Sequence, residues 1–239
     1  MTTAGQICVD VSTGWTSPAA PRPMDAPANA DVPDAGGWLA SLDEAGPDAR
    51  RELHDRTVTQ LVSGEPVEIV DEADDWVRVV APWQPSPLDP RGYPAWIPRS
   101  HVEVVIEPAG RPVAQKRADR GAIVDRSRRH LGLRYLWGGT TPYGLDCSGL
   151  VHLGYREAGV VVPRDADAQR AAAQPVPLGS ERPGDLYFFA RPDGYVVHVG
   201  FVAAPGTMLH ASGTEQRVVE AELTAELTAR LCGAGRLSL

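Results

Sequence analysis

Three residues in this chain have the types and spacing for nucleophilic acyl transfer: Cys147, His198 and His210. Cys147 follows Asp146 at the end of the glycine-rich run YLWGGTTPYGLDCSG (Tyr135 to Gly149). Leu150, Val151, Leu153, Tyr155 and Ala158, up to Gly159, then read as a helix that starts at the cysteine. Asp146 is placed to cap that helix, which would surround the sulfur with first-turn amides. A helix N-terminus stabilises a thiolate and can lower a thiol pKa from about 8.5 to roughly 3.5–7.5. The alternative is a small buried hydrophobe, the commonest fate of an isolated cysteine.

The histidines bear on that choice. In Tyr195-Val-Val-His-Val-Gly-Phe201, strand alternation puts Val196, His198 and Gly200 on one face. A turn at Ala204-Pro-Gly206 would return the chain as Thr207-Met-Leu-His-Ala211, pairing residues whose numbers sum to 410. Residue 200 then faces His210, and His198 is its diagonal neighbour on the same face. A cysteine with two histidines suits a nucleophile, a proton carrier and an orienting third group. One thiolate and two imidazoles also suit zinc, but spacing suggests no fourth ligand. Two satisfied core histidines are the structural alternative. His54, His101, His130 and His152 show no partner pattern and read as surface or packing residues.

These residues need elements to hold them. The second half is expected to open with a helix from about Gln115 to Leu131, with Ile123, Val124, Ser127 and Leu131 on one face. Strands are expected at Asp185–Phe189, Val196–Val202, Thr207–Ala211 and Arg217–Glu220. Helices before strands suggest an α+β layer with an antiparallel sheet. In the first half, Ile7–Val11 reads as a strand, followed by a proline-studded loop. A helical hairpin follows, in which Trp38, Leu39 and Leu42 share one helix and Pro47 opens a second with Ala49, Leu53 and Leu61. Short strands at Pro66–Asp71, Trp76–Val80, Ala95–Pro98 and Val102–Ile106 then suggest a small SH3-like β-barrel.

Composition bounds the function. The chain has 239 residues, a net charge of -8 and three cysteines, Cys8, Cys147 and Cys232, with no C-x-x-C pair. An odd, widely spaced set argues against a disulfide framework. Residues 1–110 hold 18 acidic and 7 basic side chains, net -11; residues 111–239 hold 13 and 16, net +3. The change falls at Glu107-Pro-Ala-Gly-Arg-Pro112, so the expected domains are 1–110, with a helical insertion at about 36–63, and 111–239. The acidic balance disfavours nucleic acid and anionic membranes as partners. The N-terminal MTTAGQICVDVSTGW lacks the basic start and apolar run of a secretory signal, and no stretch approaches about 20 apolar residues. A cytoplasmic protein is expected; oligomeric state is not legible.

Tyr135-Leu-Trp-Gly-Gly139, Asp146-Cys-Ser-Gly-Leu150, His198-Val-Gly-Phe201 and Leu209-His-Ala211, in that order, resemble the signature of NlpC-type papain-like cysteine peptidases of bacterial cell-wall peptides. The resemblance implies Cys147 as nucleophile, His198 as general base and acid, His210 as orienting residue, and no metal or cofactor. Trp15-Thr-Ser-Pro18, Gly64-Glu-Pro-Val67, Asp75-Trp76 and Gly92-Tyr-Pro-Ala-Trp96 resemble a subgroup with an N-terminal SH3-like barrel that serves as a lid. That subgroup is implied to cleave the γ-D-glutamyl–diamino acid bond of murein peptides with a free L-alanine amine. By the same resemblance Tyr135, Trp137, Asp146 and Ser148 line the substrate pocket, Tyr93 and Glu65 serve it from the barrel, and Arg164 and Asp165 meet substrate carboxylate or amine groups. Where relatives often carry serine after that Arg-Asp pair, this chain has Ala166. An exported hydrolase of intact peptidoglycan and an inactive papain-like binding module are the competing readings, and lysine versus diaminopimelate at the third position stays open.

Overall fold

The computed structural model describes residues 3–106 and 119–239. The expected linker at 107–112 and the expected helical residues 115–118 lie outside the described residues. Of the described residues, 3–106 together with 136–144 form one compact unit, and 119–135 together with 145–239 form the other. The expected split assigned all of 111–239 to the second domain. The structure instead gives 136–144 to the first, because its side chains and peptide groups find their partners there.

In the first unit, strands β1 (Thr3–Ile7) and β2 (Val11–Trp15) precede helices α1 (Ala26–Asn29), α2 (Ala35–Ala45) and α3 (Pro47–Arg51). Strands β3 (Thr57–Val62), β4 (Pro66–Ala73), β5 (Trp76–Ala81), β6 (Tyr93–Pro98) and β7 (Val102–Val104) follow. All seven join one antiparallel sheet in the order β3-β2-β6-β5-β4-β1-β7. Ile7, Leu61, Val67, Ile69, Val77, Val79 and Ile97 fill its core. Trp15, Trp38, Leu39, Leu42 and Leu53 form a second cluster under the helices, and Leu136 packs into it.

Three expectations about this unit are corrected. Ile7–Val11 is not one strand, because β1 pairs with β4 and β7 whereas β2 pairs with β3 and β6, so the chain turns at Cys8–Asp10 to change partners. The second helix stops early. A tight 3-10 turn ends at Asp55, and Thr57-Val-Thr-Gln-Leu-Val62, rich in β-branched residues, forms β3 with Leu61 in the sheet core. Lastly, β7 ends at Val104 instead of Ile106.

Residues 136–144 carry the short strand β8 (Thr140–Thr141) and dock on β3. Thr140 N–H and Thr141 Oγ1 donate to Gln60 Oε1 at 3.2 and 2.8 Å, and Thr140 Oγ1 donates to the Gln60 carbonyl at 3.0 Å. Gly138 sits at φ +78, and a Cβ there would lie 3.2 Å from Thr57 Oγ1 and 3.3 Å from Thr59 N.

The second unit starts with α4 (Arg120–Ser127) and resumes at Leu145, the second residue of the short strand β9 (Gly144–Leu145), followed by α5 (Cys147–Glu157) and α6 (Ala166–Ala172). Strands β10 (Gln174–Val176), β11 (Leu186–Ala190), β12 (Val196–Ala204), β13 (Thr207–Ser212) and β14 (Arg217–Glu222) lead to α7 (Ala225–Arg230) and β15 (Leu231–Arg236). The sheet is antiparallel, in the order β10-β15-β11-β12-β13-β14. Leu150, Val151 and Tyr155 of α5 pack with Ile123 of α4 and with Phe188, Val199, Phe201 and Leu209 of the sheet. α4 buries Ile123, Val124 and Ser127 as expected, but it ends at Ser127, leaving Leu131 48% exposed. α6, β10, α7 and β15 were not foreseen. Gly233 and Gly235 weaken the strand pattern of β15, although Gly235 suits its place, since a Cβ there would lie 2.8 Å from Ala173 Cβ.

Gly154 lets α5 approach α4 and the sheet: a Cβ there would lie 2.6 Å from Ser127 Oγ, 3.2 Å from Phe201 Cζ and 3.3 Å from Ile123 Cγ2. Gly154→Ala should therefore destabilise the protein by about 1–3 kcal/mol through overpacking. Urea unfolding checks this, and an unchanged midpoint would contradict the packing described.

Candidate active site

α5 begins where the local chemistry requires. Asp146 is extended (φ -90, ψ 178), and its Oδ1 accepts the Gly149 N–H at 2.6 Å, which makes it the N-cap and Cys147 the first helical residue. Tyr135 bridges to Leu145 in parallel, so the two chain segments that frame the start of the helix are tied together. Cys147 is buried, and its sulfur receives backbone N–H groups from Ser148 and from Val199, the neighbour of His198 on β12.

The pairs Phe201–Leu209 and Val202–Met208 keep the expected register, but a bulge after Val202 puts Ala204 opposite Thr207, so the chain turns at 205–206 instead of over Ala204–Gly206. The assigned β12–β13 pairs run from Phe201–Leu209 toward the turn, and the two histidines lie past that pair. His198 Nε2 and His210 Nδ1 lie 2.8 Å apart, with the rings edge to face at 77°. Phe189 stands opposite His198 on β11, its ring 5.5 Å from the imidazole. Gly200 faces His210 so closely that a Cβ would lie 2.8 Å from His210 Cβ.

Electrostatics revises one expectation. Burial pushes the Cys147 thiol up to about 12, with the Asp146 charge adding to it; the Val199 and Ser148 N–H groups and Arg164 oppose this and are outweighed. The helix N-terminus alone does not produce a resting thiolate. Burial, then the charges of His210 and Arg230, brings His198 down to about 3, and burial brings His210 down to about 4. At neutral pH the site holds a thiol and two neutral imidazoles. If His198 Nε2–H donates to His210 Nδ1, His198 keeps a lone pair on Nδ1 to take a proton. The half-buried Tyr135 hydroxyl is pushed well above its ordinary value by burial, then by Cys147 and Asp146, so it remains a proton donor.

The remaining residues fall into two groups. Arg164 is 1% exposed and pairs with Asp146 in two-pronged fashion, Nη1 to Oδ1 at 3.0 Å and Nη2 to Oδ2 at 2.6 Å; Nη1 also donates to Ser148 Oγ at 3.0 Å. The resemblance implied that Arg164 meets substrate; the structure engages its guanidinium with Asp146 and Ser148. Asp165 is the half-buried N-cap residue of α6. Tyr93, Glu65 and Trp137 belong to the first unit. Tyr93 is a buried residue of β6, and Glu65 is fully buried, its Oε1 accepting from Gln84 Nε2 at 2.8 Å and its Oε2 from the Val62 N–H at 3.1 Å. Trp137 stacks on His54 with ring centroids 4.0 Å apart. His101 and His152 are packing residues, held by Ser12 and Ala30 O, and by Val162 O.

Gln169 was missed. Its Nε2 donates to Ser148 O at 3.0 Å and to Pro163 O at 2.9 Å, tying α6 and the Arg164 loop to the first turn of α5. No motif spacing signals such a bond; a helix reading of Ala166–Ala172 would have put Gln169 on its buried side.

A family model described as the NlpC/P60 family matches residues 132–236. The γ-D-glutamyl-L-lysine dipeptidyl-peptidase of Bacillus subtilis is 30% identical, over 90% of this chain and 92% of that protein. Its namesake in Bacillus cereus is 27% identical, over 89% and 84%. The crystal structure of an NlpC/P60 family protein from Bacillus cereus superposes with a TM-score of 0.88 at 25% identity, covering 98% of this chain and 99% of that one.

Because both imidazoles are held neutral below the ordinary histidine range, their contribution to stability is complete above about pH 6.5 and is lost as pH falls toward 4. His198→Gln/His210→Gln should reduce proton uptake on unfolding near pH 5 by up to about two protons. Urea titrations between pH 4.5 and 7.5 measure it; an unchanged slope would contradict neutral, buried rings.

Proposed function

The chain belongs to the NlpC/P60 family, and from that premise we propose that it is a cysteine peptidase hydrolysing the γ-D-glutamyl–diamino acid bond of peptidoglycan-derived peptides with a free N-terminal L-alanine. One observation carries the reading: the bonded His198–His210 pair stands one residue from the N–H that meets the Cys147 sulfur, in a chain aligned over nine-tenths of its length with a γ-D-glutamyl-L-lysine dipeptidyl-peptidase.

The proposed chemistry follows from the protonation states. With a thiol near 12 and an imidazole near 3, a stable ion pair does not precede substrate. Proton transfer from sulfur to His198 Nδ1 instead accompanies attack of the sulfur on the γ-carbonyl carbon of D-glutamate. The imidazolium is stabilised by its Nε2–H bond to His210, then gives its proton to the departing amine of the diamino acid. Water, deprotonated by His198, hydrolyses the thioester and regenerates the thiol. The Cys147 backbone N–H and the Tyr135 hydroxyl supply oxyanion donors. Within the second unit, Ser148 and Asp165 remain residues proposed to select the substrate's charged groups, a buried ammonium needing a carboxylate partner. A peptide of this kind, free in solution, suits the absence of a basic wall-binding half, since residues 1–110 carry net -11.

The test is incubation with L-Ala-γ-D-Glu-diaminopimelate, its lysine counterpart and their N-acetylated forms, with products read by mass spectrometry. Release of L-Ala-γ-D-Glu is expected, with the acetylated peptides cleaved far more slowly. Cys147→Ala should abolish turnover, and His198→Ala should lower kcat by about 10²–10⁴-fold. Parent-like cleavage by Cys147→Ala would overturn the mechanism, and equal cleavage of the acetylated peptides would remove the free-amine requirement.

A further inference from the structure

We propose that Arg164 is a positioning residue for the nucleophile: it fixes the Asp146 carboxylate on the first turn of α5 and neutralises that charge beside the Cys147 sulfur, in place of a role as substrate ligand. The inference rests on the reading of Cys147 as nucleophile given above.

The geometry is that of an internal clamp. The guanidinium is among the largest fully buried side chains, and its planar fork meets both carboxylate oxygens of Asp146 while also holding Ser148 Oγ. Asp146 Oδ1 accepts in addition from the Gly149 N–H at 2.6 Å and from Ser148 Oγ at 3.2 Å. The loop bearing Arg164 is itself fastened by Gln169 to the carbonyls of Ser148 and Pro163, and by the Gln169 N–H to Asp165 O. A carboxylate adjacent in sequence to a buried thiol opposes formation of a thiolate, and a cation on that carboxylate offsets the opposition. Asp146 and Arg164 act on Cys147 in these opposite directions. Other titratable or charged groups among the described residues that face the site are Tyr135 before β9, His198 on β12, His210 on β13, His152 of α5 toward Arg164 and Arg230 of α7 toward His198. The Asp146–Arg164 pair is the one whose two charges can be removed separately and together.

The test measures the rate of iodoacetamide alkylation at Cys147 in the full chain at pH 7.5, read on the Cys147 peptide by mass spectrometry so that Cys8 and Cys232 do not contribute. Arg164→Met should slow alkylation by roughly ten- to a hundredfold, since the rate follows the thiolate fraction. Asp146→Asn, which keeps a capping side chain, should speed it, and the double variant should return to within about threefold of the parent. Arg164→Lys, keeping the charge without the fork, should lie between parent and Arg164→Met. Rate changes of the same sign in the two single variants, or no recovery in the double, would overturn the proposal. If Arg164→Met fails to fold, Asp146→Asn decides alone: faster alkylation supports the clamp and an unchanged or slower rate refutes it. Retained turnover in Cys147→Ala would instead sink the peptidase mechanism without altering these rates, so the two failures are distinguishable.

Discussion

The site depends on the carboxylate of Asp146. One group, almost out of water, accepts the Gly149 N–H that starts α5, the Ser148 hydroxyl and two prongs of Arg164. A carboxylate buried with fewer partners would cost several kcal/mol, and a buried arginine without it would cost as much. The two charges therefore require each other, and between them they determine where the helix begins. Since Cys147 is the next residue, the start of the helix is also the place of the sulfur.

The sheet meets that helix with a different device. His198 and His210 lie past the Phe201–Leu209 pair, and Gly200 permits the close approach there, since a Cβ would lie 2.8 Å from His210 Cβ. The rings bond to each other, while Val199, between His198 and Gly200, aims its N–H at the sulfur. Burial then holds all three groups neutral. The bond between the imidazoles matters because it holds the two rings in a fixed relation, His198 Nε2 2.8 Å from His210 Nδ1.

Much of this was legible in the sequence because it is local. The Asp146 cap, the helix from Cys147 and the register of the 196–211 hairpin follow from spacing, turn chemistry and alternation, each fixed by a few adjacent residues. The errors arise where distant partners decide. Leu61 continues the helical spacing of Ala49 and Leu53, so Thr57–Val62 can pass for the end of a helix, but pairing with Val11–Trp15 makes it a strand. The break between Ile7 and Val11 has the same origin, since neighbouring residues pair with different strands. β15 is hidden by its glycines, which are compatible with a strand there because other side chains occupy the space.

By itself the sequence determined the antiparallel α+β class of the second half, the cysteine at a capped helix start, and the two histidines on one face of a hairpin. Those are short-range consequences of backbone geometry and side-chain type. Tertiary structure decided the rest: that residues 136–144 pack with the first unit, that Arg164 turns inward onto Asp146, that Gln169 fastens the loop, and that the thiol stays protonated at rest. Desolvation and the pairing of buried charges depend on what surrounds a group from every direction. No stretch of sequence contains that surrounding; only the folded chain does.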